Sequence, residues 1–476
     1  MKANRSLALS NKIHECKMGN IIGLLENEFP TSIFEHQLDI LENNSEINTN
    51  DQSQEKIVKK RERVFTDKNT LLTMVLTSVQ QDKTLKNSVD LFYIIHQKQK
   101  NQALEYIDQL VAEHEVEKGK SLKRKVGRQR KIAIPLRKSL ENDISLNTAA
   151  YSKARNRVPI ELIQNLFKES RIEQANNNYS HWHGYKVLIG DGTYVQMQDT
   201  ESLRNEYEVK HKGIASDGYP QGLLETIIDR GSGQIYNFKL SSRHTSELSL
   251  FYDMLDDLPK NTLLLLDDLY NCYEIISKCK RLGVNIVVPA KRERNYEVIE
   301  KLADGDEIIT INTPKNRSKW VEENEKPGKL TLRRISCKSP EGEDYVLFTT
   351  LLDRDITKEE FQLLYLTRWD IEIGIREIKT IMDINVLRSK TPEMVLKELT
   401  VSLATYNLIR KLIYASIKDL PFSPKEDIIH QYYTFNQSVF IDKKGRVYNR
   451  WSTGRRRNET IDITTDAPKT QAKQTI

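Results

Sequence analysis

Three carboxylates stand where one site can collect them: Asp191, Asp267 and Glu372. Asp191 comes just after the strand-like run YKVLI, and Asp267 directly follows the apolar run TLLLL, which is typical of a strand buried on both faces. Groups at the carboxyl ends of strands face the ligand crevice of an open α/β sheet, so we expect the two aspartates to meet there. The alternative is that each aspartate only caps the helix that follows it.

The carboxylates come from two strand ends and one helix, and their oxygen atoms are the ligands that hard divalent cations prefer. Such a set can hold two divalent ions ~3.5–4 Å apart, the arrangement that supports in-line displacement at phosphorus. Oxygen ligands favour Mg²⁺, with Mn²⁺ able to substitute. The sequence therefore predicts a site with two Mg²⁺ ions, in which Asp191, Asp267 and Glu372 are both the metal ligands and the catalytic residues.

The segment around Glu372, LYLTRWDIEIGIREIKTIMD, also carries Tyr365, Arg368 and Lys379. At ~100° per residue these four side chains fall on a single stripe of one helix, so a carboxylate is flanked by a tyrosine and two cations. The alternative is an ordinary solvated face with i,i+4 ion pairs. Apolar residues are predicted to occupy the remaining faces of this helix: Leu364, Trp369, Ile373 and Ile375.

The composition excludes several classes of protein. The chain has 476 residues, a net charge of +6 and four cysteines. It has neither the apolar run of ~18 residues that spans a bilayer nor the apolar region of a signal peptide, so we expect a cytoplasmic protein with no membrane partner. The pairs Cys272/Cys279 and His181/His183 do not form a closed set of four zinc ligands at finger spacing, so zinc is not expected.

Positive charge is concentrated in two runs. Residues 118–138 hold ten Lys or Arg, and residues 443–457 hold seven together with Tyr448 and Trp451. Lys and Arg release counterions from phosphate backbones, and aromatic rings stack on bases, so the two runs favour a nucleic-acid partner. The alternative is that both are solvated linkers or tails.

The elements that must position these residues change character along the chain. A helical N-terminal part includes the helix that carries Lys153, Arg155 and Arg157, which is either a DNA recognition helix or a cationic surface helix. Strand periodicity then begins near Tyr185, and helices resume near Lys358. The predicted regions are a short helical segment with a polar linker (1–56), a helical DNA-end-binding domain (57–178), a first core part (179–290), a β-rich insertion (291–355), the second core part with Glu372 (356–418) and a basic C-terminal region (419–476).

The spacing Y-x2-R-x3-E-x6-K, filled by Tyr365, Arg368, Glu372 and Lys379, resembles the YREK signature of DD(E) insertion-sequence transposases. With 20 tyrosines in the chain, about 0.008 chance matches are expected. The boxes around Asp191 (DGT) and Asp267 (LLLLDDLYNCYEII) are similar to those that hold the first and second aspartates of the family. The resemblance covers roughly residues 60–415.

This resemblance implies a fold and a function. The family fold is an RNase H-like mixed α/β sheet, interrupted by a β-strand insertion and here preceded by an all-helical domain. It implies a cut-and-paste DNA transposase of a prokaryotic cell, nucleoid-associated, that binds double-stranded DNA at the transposon ends and at the target. It also implies a homodimer in the synaptic complex. Tyr365, Arg368 and Lys379 would hold phosphates of the transposon end, and Trp320 in the insertion is the candidate aromatic for a flipped base.

One position departs from the family pattern. The second box usually reads D-R-x-Y or D-R-x-F, whereas Asp268 stands here in place of the arginine. A second carboxylate at this point would compete for metal or weaken a DNA contact. Two rival functions therefore stay open: a catalytically impaired DNA-binding repressor or domesticated transposase-derived protein, and an RNase H-like nuclease without strand transfer.

Overall fold

A computed structural model describes the chain in two compact units, Met1–Val158 with Gln431–Ile476, and Pro159–His430. Within them the structure describes residues 64–80, 82–93, 147–172, 181–207, 210–211, 214–215, 218–291, 294–315, 318, 328–339, 342–417, 439–441 and 447–449. Both basic runs fall outside these ranges except for 447–449, and so does Trp320. No helix in the described ranges is both long enough and apolar enough to cross a membrane.

The first unit packs helices around aromatic rings. Helix α1 (Asp67–Ser78) begins at Thr66, whose hydroxyl accepts a hydrogen bond from the Asn69 amide. Helix α2 (Thr148–Arg157) begins at Asn147, whose side chain accepts a hydrogen bond from the Ala149 amide. The Phe65 ring lies 4.6 Å from the Phe92 ring and 5.2 Å from the Tyr151 ring, measured between centroids. Residues 439–441 and 447–449 pair as a two-stranded sheet.

The second unit is built on a mixed sheet of ten strands among the described residues. Its strands are β1 (His181–Trp182), β2 (Tyr185–Gln196), β5 (Gln221–Asp229), β6 (Ile235–Ser242), β7 (Thr262–Leu265), β8 (Asn285–Pro289), β9 (Tyr296–Ala303), β10 (Asp306–Ile311), β11 (Leu330–Lys338) and β12 (Asp344–Thr349). Strands β3 (Lys210–His211) and β4 (Ile214–Ala215) form a separate pair. The order is β6-β5-β2-β7-β8-β12-β11-β10-β9, with β1 beside β2.

The two parallel contacts lie in the middle of this sheet, where β7 pairs with β2 on one side and β8 on the other. Every residue of β7 is buried, which confirms the prediction that an apolar run marks a strand covered on both faces. The β-rich segment extends the same sheet, because β12 pairs antiparallel with β8 and β9–β11 follow outward.

Helices cover the sheet. They are α3 (Ile160–Glu169), α4 (Glu201–Tyr207), α5 (Glu247–Met254), α6 (Tyr273–Leu282), α7 (Lys358–Leu366), α8 (Asp370–Ile381) and α9 (Pro392–Ile417). The core under α5 and α6 joins Leu188, Leu264 and Ile286 of the strands to Phe251 and Ile276 of the helices. Helix α6 ends at Gly283 (φ 70°), because glycine tolerates the left-handed conformation of this cap.

Strand β2 is longer than expected, and the prediction that Asp191 follows a strand is wrong. Asp191 lies inside β2, opposite Thr226 of β5. The parallel pairing with β7 stops at Ile189, but the antiparallel pairing with β5 carries the strand on to Gln196. Gln196 then forms a bridge with Val386. Between Ile189 and Gln196 no described strand pairs with the β7-side edge of β2, so Asp191 lies beside an open edge inside the sheet.

The prediction of a single helix around Glu372 is also wrong. Helix α7 ends at Leu366, a 3-10 turn covers Thr367–Trp369, and α8 begins at Asp370. Tyr365 therefore lies on α7, Arg368 in the turn, and Glu372 with Lys379 on α8. The tighter turn has three residues per turn instead of 3.6, so the predicted stripe is displaced at its centre.

Candidate active site

Asp191 and Glu372, distant in the chain, line the same open cleft of about 380 Å³. Helix α8 lies against β2 and presents Glu372 and Lys379 to this cleft. The Glu372 side chain is 49% exposed, so its carboxylate is available to a ligand. The structure thus brings together two of the three predicted carboxylates and one predicted cation.

Asp267 lies near the end of β7, as predicted, but Leu266 separates it from the last residue of the strand. Its charge is one of the causes that raise the pKa of Asp191, so the two aspartates belong to one electrostatic neighbourhood. Tyr365 anchors α7 at the same point, because its hydroxyl donates a 3.2 Å hydrogen bond to the Leu266 carbonyl. Two aspartates therefore flank the open edge of β2: Asp191 on β2 itself and Asp267 on the segment that follows β7.

The pKa of Asp191 is raised to about 6. Burial is the main cause, because a low-dielectric environment disfavours the charged carboxylate. The Glu247 carboxylate raises this pKa further, and Asp267 adds a smaller effect. The hydrogen bond from the Gly192 amide and the charge of Arg368 act in the opposite direction. Negative charge is thus crowded around Asp191.

The residues of the YREK spacing differ in exposure. Tyr365 is 8% exposed, and burial raises the pKa of its phenol well above the ordinary value. Arg368 is buried; it donates from Nη2 to Glu372 Oε1 at 3.4 Å, while its Nε is buried without a hydrogen-bond partner in the structure. Lys379 is half-buried, and burial lowers its pKa. Arg368 and Lys379 are therefore the cations beside the carboxylates.

Two of the apolar side chains predicted on the remaining faces of this helix are exposed. Trp369 is 56% exposed and Ile373 is 45% exposed, because the 3-10 turn and the first turn of α8 point them away from the sheet. The Arg368 guanidinium lies 4.6 Å from the Trp369 ring centroid. An exposed ring next to a cation is a surface on which a nucleobase can stack.

Asp268, the departure from the family pattern, has a local partner. Its Oδ1 accepts a 3.0 Å hydrogen bond from the backbone amide of Lys291. This bond ties the turn after β7 to the segment after β8. One oxygen of Asp268 is therefore already used in holding a loop.

The described residues contain no group of three or more His, Cys, Asp or Glu side chains that is close enough to hold a metal ion as it stands. The donor set still fits a hard divalent ion, because Asp191, Asp267 and Glu372 offer only carboxylate oxygens. A buried carboxylate oxygen without a partner, Oε2 of Glu225, lies against the residue next to Asp191.

Glu225, Glu247 and Tyr270 form a hydrogen-bonded cluster beside Asp191, and none of the three was predicted as a site residue. The Tyr270 hydroxyl lies 2.8 Å from Oε1 of Glu225 and 2.8 Å from Oε1 of Glu247. Glu225 gave a signal, since a glutamate in the apolar run LLETII is costly to bury without a function or a partner. Glu247 at the start of a helix gave no signal distinct from an ordinary helix start. Arg376, which also lines the cleft, was missed as well.

The predicted cations of α2 have different environments within the first unit. Arg157 donates to the Phe65 carbonyl at 2.8 Å and lies 3.8 Å from Asp67, so it holds α2 to the start of α1. Arg155 is half-buried and its guanidinium lies 5.9 Å from the Tyr151 ring centroid. Lys153 is exposed.

Replacing Gly192 with alanine is expected to destabilise the second unit by about 1–3 kcal/mol, the usual cost of overpacking. A Cβ atom at this position would lie 2.6 Å from Oε1 of Glu247 and 2.8 Å from Oε2 of Glu225, so both side chains would have to move. Thermal unfolding measures the change. Gly328→Ala is the matched control, because a Cβ there meets nothing within 4 Å. Equal melting temperatures for the two variants would contradict the close contact.

Carboxylates beside an open strand edge and cations on the adjoining helix have the donor chemistry of sites that work on phosphate esters. Residues 182–408 match the family described as Transposase DDE domain. These residues therefore resemble a transposase DDE domain, and the match supports the resemblance to insertion-sequence transposases that the sequence indicated.

Two relatives from Escherichia coli (strain K12) support this assignment. The transposase InsG for insertion sequence element IS4 is 28% identical over 269 residues, 55% of this chain and 60% of the relative. The putative transposase InsZ is 26% identical over 160 residues, 33% of this chain and 54% of the relative. The chain therefore spans little more than half the length of either relative.

One solved structure is also similar. It is a cryo-EM structure of a piggyBac transposase synaptic complex with hairpin DNA, with a TM-score of 0.37 and 11% identity, covering 81% of this chain and 74% of that chain. A similarity of this size supports no conclusion about the function of this chain.

Proposed function

We propose that this protein is the transposase of an insertion sequence. It binds the terminal inverted repeats, cleaves DNA at the ends of the element and joins the 3′-hydroxyls to target DNA by two-metal phosphoryl transfer. The observation that carries the proposal is the cleft in which Asp191, Glu372 and Lys379 meet, inside the region that matches the transposase DDE domain.

The strand order supports an RNase H-like core. The five core strands are β2, β5, β6, β7 and β8 in chain order, and they lie side by side in the sheet in the order β6-β5-β2-β7-β8. Strands β6, β5 and β2 pair antiparallel, whereas β2, β7 and β8 pair parallel. This arrangement places Asp191 and Asp267 on neighbouring strands or at their ends, as the proposed chemistry requires.

Asp191, Asp267 and Glu372 would hold the divalent ions. Mg²⁺ fits their oxygen donors, and Mn²⁺ can substitute. When bound, such ions activate the attacking hydroxyl and stabilise the leaving oxygen in a displacement at phosphorus. The carboxylates are not yet in contact in this structure, so side-chain movement on ion or DNA binding is part of the proposal.

The remaining residues of the cleft would bind and orient DNA. Lys379 and Arg376 line it and offer positive charge to backbone phosphates. Arg368, held between Glu372 and the Trp369 ring, orients the catalytic carboxylate. The helical region before the core and the basic segments are proposed to bind the transposon ends and the target, and synapsis of two ends requires at least a dimer.

The test uses the purified full-length chain and a DNA fragment that carries the terminal inverted repeats flanking its coding sequence. With Mg²⁺ we expect nicks at the repeat boundary and, with target DNA present, joined products. Chelation with EDTA is expected to abolish both products. The matched control is the same fragment with both repeats scrambled, which should give neither product.

Each rival predicts a different outcome. Binding to the repeats without cleavage, in Mg²⁺ and in Mn²⁺, would replace the proposal with a DNA-binding repressor or domesticated protein. Nicking without joined products would replace it with a nuclease that lacks strand transfer. Cleavage that is unaffected by EDTA would remove the metal-dependent mechanism.

A further inference from the structure

Two glutamates approach the backbone at Gly192, the residue that follows Asp191. The space that a Cβ atom would take at Gly192 is filled by Oε1 of Glu247 and Oε2 of Glu225. Both distances are shorter than those that real Cβ atoms show, so a side chain at this position would require the two carboxyl groups to move. Gly192 also lines the cleft that holds Asp191 and Glu372.

The open edge of β2 makes both faces of the strand accessible at this point. Side chains alternate along a strand, so Asp191 points to the face opposite the one on which Glu247 meets Gly192. Within a paired sheet the next strand would separate the two faces. Here the pairing with β7 has ended at Ile189, and a bound ion at the edge can reach groups from both sides.

Tyr270 connects Glu247 to the second aspartate. Its side chain is fully buried, and its backbone amide closes the turn that begins after Asp267, with a 3.1 Å hydrogen bond to the Asp267 carbonyl. The same residue places its hydroxyl 2.8 Å from both glutamates. Any displacement of the Asp267 turn therefore moves the group that holds Glu247.

The cluster has more negative charge than its own donors balance. A phenol has one hydrogen, so Tyr270 can donate to only one of the two carboxyl groups. Oε2 of Glu225 has no hydrogen-bond partner, although Glu225 is 0% exposed. A buried carboxylate in this position needs a proton or a cation nearby. Burial also raises the pKa of Glu225 well above its ordinary value.

Glu247 differs from Glu225 in its exposure. Its residue is only half-buried, so an ion from solvent can reach it. Its Oε1 also lies 2.6 Å from the Cβ position of Gly192, the residue that follows Asp191, so the carboxylate stands close to the first aspartate.

We propose that Glu247 is a fourth carboxylate of the divalent-ion site, and that Tyr270 and Glu225 are the positioning residues that hold its side chain. The inference rests on the proposed function and extends it, because it adds a ligand from helix α5 to the two aspartates and Glu372. Gly192 then has a specific purpose, which is to let the carboxyl groups of two elements close on one edge of β2.

The test measures Mn²⁺ binding directly, by electron paramagnetic resonance of free Mn²⁺ during titration of the full-length chain, without and with DNA that carries the repeats. Glu247→Gln keeps the size of the side chain and removes its charge. We expect this variant to weaken Mn²⁺ binding by on the order of tenfold or more, and Tyr270→Phe to weaken it by a smaller factor while keeping the ring contact with Phe251. Asp253→Asn, on the same helix but with a 59% exposed side chain, is the charge-matched control and should bind like the wild type.

The outcomes separate this inference from the proposed function. Loss of binding in Asp191→Asn together with wild-type binding in Glu247→Gln would keep the metal site and overturn the role of Glu247; a proton would then balance the glutamate pair. Absence of Mn²⁺ binding by the wild-type chain, even with DNA, would overturn both proposals. Thermal unfolding of each variant reports whether the fold is intact, and Glu247→Asp, which retains the charge, should recover part of the affinity if Glu247 is a ligand.

Discussion

Replacement of Glu372 with glutamine is expected to lower the rate of DNA end cleavage by about three orders of magnitude or more. A loss of this size is expected when one member of a set of catalytic groups that act together is removed. The structure gives the reason: Glu372 is the exposed carboxylate on α8 that lines the cleft with Asp191. Glutamine has the same shape but cannot supply the negative charge that a divalent ion requires. Single-turnover cleavage of a labelled repeat end measures the rate.

Binding of the repeat end should remain within a few fold of the wild type, because the cations of the cleft are untouched. Glu359→Gln on α7 is the matched control; its side chain is 65% exposed and its contact is an ion pair with Lys358 at 4.0 Å. This variant should cleave at the wild-type rate. Cleavage by Glu372→Gln at the rate of its control would remove Glu372 from the catalytic set.

The second large effect is expected on stability, from Asp306→Ala in the β-rich part of the sheet. Asp306 and Arg333 form an ion pair in which both side chains are at most 5% exposed, with hydrogen bonds of 2.8 Å and 2.5 Å. Removing one partner leaves a buried charge without compensation, which costs about 3–5 kcal/mol. Arg333 also donates to the Asp353 carbonyl, just before α7, so the loss should extend toward the helix that carries Tyr365.

Urea unfolding followed by tryptophan fluorescence and far-UV circular dichroism measures this effect. The matched control is Glu297→Ala, which breaks the ion pair with Lys329 in the same part of the sheet, where the two side chains are 66% and 62% exposed. Exposed pairs contribute little, so this variant should change the free energy of unfolding by less than about 1 kcal/mol. Similar destabilisation by the two variants would mean that burial does not decide the strength of the Asp306 pair.

The sequence indicated the parts of the fold that depend on local pattern. The apolar run before Asp267 predicted β7, because burial on two faces selects apolar residues at every position of a strand. The extension of β2 through Asp191 was not predicted. It depends on pairing with β5, and the run GDGTYVQ has no apolar alternation to indicate that pairing.

The same limit applies to the candidate site. The spacing of Tyr365, Arg368, Glu372 and Lys379 pointed to a region that includes part of the cleft, because Glu372 and Lys379 both line it. The break after Leu366 was not predicted, because helical periodicity continues through a short 3-10 turn. The cluster of Glu225, Glu247 and Tyr270 joins three elements, and only tertiary packing brings such residues together.

The segment after α8 has a consequence for how this protein can evolve. The Gln196 amide donates to the Asn385 carbonyl at 2.8 Å, and the Leu387 amide donates to the Gln196 carbonyl at 2.8 Å, so this segment resumes the pairing that β7 leaves off. Backbone hydrogen bonds, which any residue except proline can donate, therefore fix the end of the open edge of β2 that lies at Gln196, beyond Asp191. Side chains along the rim can therefore be exchanged without changing its shape, so substitutions there can alter what the cleft contacts while Asp191 keeps its place.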